Sequence, residues 1–151
     1  GGRRFDAAAG LAGVREVAAY EGQVAMLYES QSARHGEVEP MRDGFVLNDD
    51  GTLDLLPLLA CLADERDASF SAALFHATLA EALAEWVARA GGERGLRRVA
   101  LGGGCFLNRI LSVGVRRRLE AQGFEVLEAR LAPPNDGGLS LGQAWAAMLG
   151  V

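Results

Sequence analysis

The last third of the chain alternates short apolar segments with breaks rich in glycine or proline, and this order restricts the fold more than any other feature. The pattern predicts a buried strand at 98–101, a glycine turn at 102–104 and a helix at 106–119. A second strand at 124–127, a rigid loop at 133–138 and a closing helix at 141–148 follow. A strand, a helix and a second strand in this order predict a βαβ crossover, in which both strands are parallel in one sheet. The sequence therefore predicts an α/β fold.

The first two thirds are predicted to be mainly helical. Alanine-rich residues 5–33 indicate two short helices with a break at Gly13. An unbroken helical stripe runs from Ser69 to Ala90 and is predicted to stop at the glycine pair 91–92. Between these helices, the Asp-Gly pair at 50–51 predicts a small β-hairpin in a polar insertion. A short helix is predicted to follow at 54–62. All of this fits one domain over residues 1–151.

Charge and composition exclude several classes of function. The chain has 15 basic and 20 acidic residues, and every basic residue is arginine. Without lysine, Schiff-base chemistry and a Walker A loop are excluded, and the net charge of −5 argues against a nucleic-acid partner. No apolar run approaches the roughly 20 residues of a membrane span, and the first residues lack a signal peptide, so we expect a cytoplasmic location without membrane association. The Gly-Gly start without methionine suggests a piece of a larger protein.

The triple glycine at 102–104 is the first candidate site. Glycines let backbone amides approach an anion closely, and the N-terminus of the following helix would add about half a positive charge aimed at it. The alternative is a tight turn that needs positive φ and binds nothing. The glycine pattern alone leaves both interpretations open.

The second candidate is Asp136, in the proline-rich loop after the second strand. Ligands gather at the carboxyl ends of strands in open α/β sheets, so Asp136 is predicted to face the same crevice as the glycine turn and to suit a hard cation. The alternative is that Asn135 or Asp136 only caps the closing helix.

Other reactive residue types favour structural roles. Cys105 follows the glycines but has apolar neighbours, which favours packing over a nucleophilic thiolate. His35 and His76 lack metal-ligand spacing. The arginine run 116–118 is predicted to be a solvated helix face that could meet an acidic partner.

Five segments of the chain resemble the C-terminal part of the HypF family of hydrogenase maturation carbamoyltransferases. In family order they are GRRFDAAA at 2–9, YEGQVA at 20–25, FHATLA at 75–80, GGGCFLN at 102–108 and PPNDGGLSLGQAW at 133–145. The glycine segment is shared with a wider group that includes TsaD and the antibiotic-modifying O-carbamoyltransferases. The segments at 20–25 and 133–145 are similar to HypF in particular.

The resemblance implies the C-terminal lobe of an actin/hexokinase-like, TsaD-like ATPase domain, with a mixed sheet, a parallel βαβ unit and packed helices. HypF-like proteins form carbamoyl adenylate from carbamoyl phosphate and ATP, and transfer the carbamoyl group to the C-terminal cysteine thiol of HypE. The resemblance also implies a divalent metal, Mg²⁺ or Zn²⁺, shared with an upstream lobe that is not part of this sequence. We therefore expect little turnover from this chain by itself.

The resemblance assigns candidate site residues by position. Gly103, Gly104 and Asn108 match the loop that cradles the nucleotide, and Asp136 matches a carboxylate that helps to hold the metal. Asp6 and Gly22 fall where related proteins contact the ribose. No catalytic residue is identified.

Two rival functions stay open at this point. One is a TsaD-like or O-carbamoyltransferase fragment with an acceptor other than a protein thiol. The other is a non-catalytic module that docks HypE or the upstream domains through an apolar face. Such a face would also favour self-association of the isolated lobe.

Overall fold

The computed structural model describes residues 2–13 and 22–150. In chain order the helices are α1 Gly2–Leu11, α2 Gln23–His35, α3 Leu56–Asp64, α4 Ala68–Glu93, α5 Arg109–Ala121 and α6 Leu139–Leu149. The strands and 3-10 turns are β1 Val46–Leu47, β2 Leu53–Asp54, β3 Arg98–Leu101, β4 Glu125–Glu128, and turns at Gly104–Leu107 and Asp136–Gly138. The predicted order of elements and the α/β class are confirmed, although Tyr20, which belongs to the predicted second helical stripe, lies outside the described residues.

Helix α4 is the centre of the fold, and residues 71–76 of its first half are all buried. Its main neighbours are α2 and α5, with smaller contacts to α1 and α3. The approach of α5 is close, because a Cβ added at Gly114 would lie 2.9 Å from Cβ of Ala80. The Asp67 carboxylate caps the start of α4 by accepting hydrogen bonds from the amides of Ser69, at 2.8 Å, and Phe70, at 3.1 Å.

The predicted end of this helix is wrong, since α4 continues through both glycines to Glu93. Gly91 serves packing instead of termination: a Cβ there would lie 2.8 Å from Cε1 of Phe124, which arrives from the far side of the crossover. Gly95 follows the C-cap Arg94, and its φ of 65° allows its amide to bond Gly92 O while Leu96 N bonds Gly91 O. These two bonds form a Schellman motif.

Strands β3 and β4 pair in parallel, with α5 as the connection between them. The register runs from Arg98 opposite Glu125 to Leu101 opposite Glu128. The predicted βαβ crossover is therefore confirmed. Both strands end at the same edge, where β3 enters the glycine turn, defined here as residues 102–107, and β4 leads to the proline loop, residues 132–138.

The predicted hairpin is also confirmed, as β1 and β2 pair antiparallel in a separate two-stranded sheet. It is held against α4 by Trp86, whose Nε1 donates to the carbonyl of Gly51 at 2.7 Å. Arg89, one turn further along α4, donates to the carbonyls of Leu47 and Asn48. The hairpin thus lies on α4 and does not extend the parallel pair.

Helix α6 carries large apolar side chains and buries none of them. Trp145 is 62% exposed and Met148 is 79% exposed, while Leu131 before the proline loop is almost fully exposed. Among the described residues α6 contacts mainly the turn that precedes it. Among all the described residues, 2–13 and 22–150, no helix combines the length and the apolarity that crossing a membrane requires.

Candidate functional site

The glycine turn and the proline loop contact each other at the carboxyl ends of β3 and β4. The amide of Gly103 donates to the carbonyl of Pro134 at 2.5 Å. A Cβ added at Gly104 would lie 3.9 Å from Cβ of Asn135. The two candidate loops therefore meet at one edge, as the parallel pairing of β3 and β4 predicts. That Asp136 faces a crevice shared with the glycine turn stays a prediction.

Two backbone amides of the glycine turn donate no hydrogen bond to any of the described residues. Gly103 has φ 98° and ψ 158°, a conformation that is essentially restricted to glycine. The two amides are those of Gly104 and Cys105, which come too early in the 3-10 turn to bond one of its carbonyls. Phe106 N is the first amide that bonds within the turn, to Gly103 O. A Cβ added at Gly102 or Gly103 would meet nothing within 4 Å, so open space surrounds these residues.

The first amides of α5 are bonded within the chain and so are not available to an anion, contrary to the prediction. Glu29 of α2 accepts hydrogen bonds from the amides of Arg109, at 2.7 Å, and Ile110, at 3.3 Å. Asn108 accepts a third from the amide of Leu111 at 2.9 Å. The expectation that the helix N-terminus is aimed at an anion is therefore wrong, because side chains of the chain itself occupy its amides and a carboxylate offsets its partial positive charge.

Asn108 is only 8% exposed, and its side chain faces the interior. Its Oδ1 caps α5, so its Nδ2 is directed to Nε2 of His76, 2.8 Å away. The other ring nitrogen of His76, Nδ1, lies 2.7 Å from the carbonyl of Ala72 and must donate to it, because a carbonyl can only accept. Nucleotide contact by Asn108 stays a prediction. The side-chain contacts that the structure shows, with His76 and the Leu111 amide, fix the position of Asn108 at the end of the glycine turn.

His76 is held as a neutral ring. Burial lowers its pKa from the ordinary value of 6.5, against smaller opposing effects of its hydrogen bond to Ala72 and of the nearby Glu29 carboxylate. The ring is packed between Phe5, Tyr28 and Phe75, at centroid distances of 5.5, 5.8 and 5.7 Å. The predicted structural role of His76 is correct, but the sequence does not indicate its bond to Asn108.

Asp136 lies on the exposed surface of the second 3-10 turn. The capping contact of this loop comes from Asn135, whose Oδ1 accepts from Gly137 N at 3.1 Å. Within residues 2–13 and 22–150, no hydrogen bond or ion pair engages the Asp136 carboxylate, and no three potential ligands from His, Cys, Asp or Glu cluster together. The two loops therefore offer a divalent cation one carboxylate, that of Asp136, and further ligands would have to come from outside these loops.

The remaining candidates lie on other elements. Asp6 is exposed on α1, and Gly22, with φ 81°, begins α2. In the described part of the chain, no hydrogen bond joins either residue to the two loops. Ribose contact by Asp6 and Gly22 thus stays a prediction.

The other reactive residues have structural contacts. Cys105 is half-buried and packs against the core, as predicted. Arg116 pairs with Glu128 at 3.2 Å and Arg118 with Glu81. Two members of the arginine run therefore connect α5 to β4 and α4, and only Arg117 belongs to an exposed face.

Comparison with known proteins defines the class first. The family model described as "Carbamoyltransferase, Kae1-like Domain, second subdomain" matches residues 1–143. The chain belongs to the HypF carbamoyltransferase family. It is 46% identical to carbamoyltransferase HypF2 of Cupriavidus necator over 97% of its own length, and 49% identical to carbamoyltransferase HypF of Rhizobium leguminosarum bv. viciae over 94%.

Solved structures agree with this assignment. The chain matches the crystal structure of full-length HypF in the phosphate- and nucleotide-bound form with a TM-score of 0.83 and 35% identity, over 97% of the chain. It matches HypF of T. kodakarensis with a TM-score of 0.78 and 26% identity, over 95% of the chain. The chain spans about a fifth of the length of these relatives, 21% and 18% of the two sequences and 20% and 19% of the two structures.

Proposed function

We propose that this chain supplies the nucleotide-facing half of a HypF-type carbamoyl transfer site within a longer protein. The observation that carries the proposal is the pair of amides of Gly104 and Cys105, on a turn that the bond from Gly103 to Pro134 joins to the loop carrying Asp136. Free amides bind phosphate oxygens without any lysine. The solved HypF described as phosphate- and nucleotide-bound, which has the same arrangement of the chain, supports the choice of ligand.

The reaction we propose is transfer from carbamoyl adenylate, made from carbamoyl phosphate and ATP, to the C-terminal cysteine thiol of a HypE-like protein. The thiolate sulfur attacks the carbamoyl carbon, a C–S bond forms, the bond from that carbon to the phosphate oxygen breaks, and AMP leaves with the electron pair. Negative charge grows on the leaving phosphate in this step, so donors aimed at it lower the barrier. Gly104 and Cys105 provide such donors.

Asp136 is proposed as one ligand of a divalent cation, Mg²⁺ or Zn²⁺, completed by residues of the upstream domains. A bound cation would offset charge on the leaving phosphate. The residues of this chain would fix the cation beside the turn and restrict the position of AMP. The thiol proton must leave to a group outside the two loops, because their one carboxylate, Asp136, is proposed to bind the cation.

The upstream domains of the same protein are the proposed partner of α6. Met148 and Leu149 lie three and four positions after Trp145, so the three exposed side chains share one face of the helix. Neighbouring exposed apolar residues of this kind mark an interaction surface, whereas single ones do not. The 151-residue chain expressed alone should therefore self-associate, which sedimentation at increasing concentration would detect. A clean monomer at high concentration would contradict this part of the proposal.

The test uses the intact protein and Gly104→Ala, with Gly92→Ala as the matched control. A Cβ at Gly104 makes only ordinary contact with Asn135, at 3.9 Å, so the fold is kept while a methyl group is placed beside the donor amides. Gly92 lies in α4, where a Cβ meets nothing within 4 Å. We expect Gly104→Ala to weaken ATP binding by calorimetry about tenfold, the loss of one hydrogen bond to a charged group, and Gly92→Ala to leave it unchanged.

The acceptor is tested separately with isotopically labelled carbamoyl phosphate. Label on the C-terminal thiol of a HypE-like protein supports the proposed reaction. Label on a tRNA or a sugar would instead favour the TsaD-like or O-carbamoyltransferase alternative. If the intact protein does not bind ATP at all, the result would favour the alternative that this chain is a non-catalytic docking module.

A further inference from the structure

We infer that Glu29 and His76 are positioning residues that hold the start of α5 and, through it, the amides of the glycine turn. Neither side chain belongs to the two loops of the candidate site. The role in nucleotide binding rests on the proposed function, whereas the effect on the shape of the turn does not.

The first three amides of α5 are bonded by two side chains, Glu29 from α2 and Asn108 at the N-cap of α5 itself. Amides at a helix start have no partner inside the helix, and here the first two bond Glu29 while the third bonds Asn108. Glu29 is separated from Arg109 by 80 positions in sequence. Its carboxylate therefore fixes the beginning of α5 to the middle of α2, which a cap from a neighbouring residue could not do.

His76 determines which way the Asn108 amide points. Because Nδ1 donates to Ala72, Nε2 is left as an acceptor and selects the NH₂ end of Asn108. The opposite orientation would turn Nδ2 toward the Leu111 amide, placing two donors together and removing the cap. A buried Nε2 without a partner would itself cost free energy, so the bond from Asn108 is favoured from both sides.

Asn108 connects this arrangement to the candidate site. Its backbone amide donates to the carbonyl of Cys105 at 3.2 Å, which closes the 3-10 turn that begins at Gly104. Movement of Asn108 would therefore shift Cys105 and the amide that Cys105 presents. Glu29 acts on the adjacent residue, Arg109, so both side chains act on the same short segment.

The first measurement is hydrogen exchange in the intact protein without nucleotide, read on peptides that cover 102–111. Glu29→Ala should accelerate exchange at Arg109 and Ile110 about fivefold to tenfold, the range expected for losing a helix cap. Glu29→Gln keeps the Oε1 acceptor and should restore most of the protection. Glu37→Ala removes an acid that is exposed and pairs with Arg117 at 3.6 Å, so it is the matched control and should leave 102–111 unchanged.

The second measurement is the steady-state kinetics of carbamoyl transfer by the same proteins. Glu29→Ala should raise the KM for ATP about tenfold and change kcat less than about twofold, because the donors are displaced and not removed. His76→Leu should raise KM likewise, and His76→Gln, which retains an acceptor near Nε2, should recover it. Because His76 is buried and its leucine variant could unfold, the Glu29 series decides the matter by itself.

The two ideas fail in different ways. If Glu29→Ala accelerates exchange at 102–111 but the wild-type protein does not bind ATP, the positioning role stands and the proposed function is refuted. ATP binding by the wild type, together with exchange and KM that Glu29→Ala leaves unchanged, would overturn the positioning role and keep the function. Equal losses from Glu29→Gln and Glu29→Ala would also overturn it.

Discussion

Replacing Gly103 with alanine is the most direct test of the geometry of the glycine turn. At φ 98° and ψ 158° a side chain is strained whatever space surrounds it, and such strain costs about 1–3 kcal/mol. The chain can avoid part of this cost by letting the turn move, but Gly103 N then loses its bond to Pro134 O, worth about 0.5–1.5 kcal/mol. The expected loss of stability is the smaller of the two costs, about 1 kcal/mol.

The neighbouring Gly102→Ala variant is the control, since its φ lies outside the positive region and a Cβ there meets nothing within 4 Å. Alanine at a compatible glycine position stabilises by about 0.4–1 kcal/mol, because it restricts the unfolded chain. Two identical substitutions at adjacent positions should therefore change stability in opposite directions.

The assay is urea unfolding of the intact protein, followed by hydrogen exchange of α4 and α5 peptides so that this domain is observed separately from the others. ATP binding by calorimetry is measured alongside. If the turn relaxes, Gly103→Ala should also weaken ATP binding, because the proline loop is released. Indistinguishable stability and affinity in Gly102→Ala and Gly103→Ala would refute both the assigned backbone conformation and the importance of the bond to Pro134.

Three further outcomes are expected. Asp136→Asn should leave stability within about 0.5 kcal/mol, because the carboxylate is exposed, but should reduce carbamoyl transfer and its response to added Mg²⁺ or Zn²⁺; an unfolded variant would show a structural role instead. Burial lowers the pKa of His76 from its ordinary value of 6.5, so below pH 6.5 the unfolded state binds more protons than the folded state. Urea unfolding at several pH values should therefore show that the stability falls as the pH drops below 6.5. His76→Gln should remove this dependence on pH. Trp86→Phe removes the donor to Gly51 O and should lower stability by about 1 kcal/mol in the same assay, with no change in ATP binding.

Local sequence signals predicted most of the secondary structure and the pairing of β3 with β4. Helical periodicity, an Asp-Gly pair and glycines after an apolar segment each act within a few residues, and a crossover leaves only one common handedness and direction for its strands. The end of α4 was beyond such signals. Gly91 has the sequence appearance of a helix stop, yet Phe124 requires the missing side chain, and that contact spans more than 30 positions.

The candidate site was predictable to the level of loops and not of atoms. Parallel strands bring residues 102–104 and Asp136 to one edge whatever the details, and the structure confirms that they share it. The direction of the α5 amides depends on Glu29, which appears in the sequence as an ordinary polar residue of an amphipathic helix. Nothing local marks it, just as nothing local marks His76 as the acceptor for Asn108.

The occupied start of α5 changes how an anion can be held here. A carboxylate on the first amides of that helix offsets the attraction that its dipole would offer, so the proposed site depends on two amides of a 3-10 turn and on the cation proposed at Asp136. Two neutral donors and one acidic ligand are too few to hold a polyphosphate tightly. We therefore expect the remaining contacts to come from the rest of the protein, since this chain covers only 20% of the full-length HypF structure, and we expect nucleotide affinity to appear only when those domains pack against it.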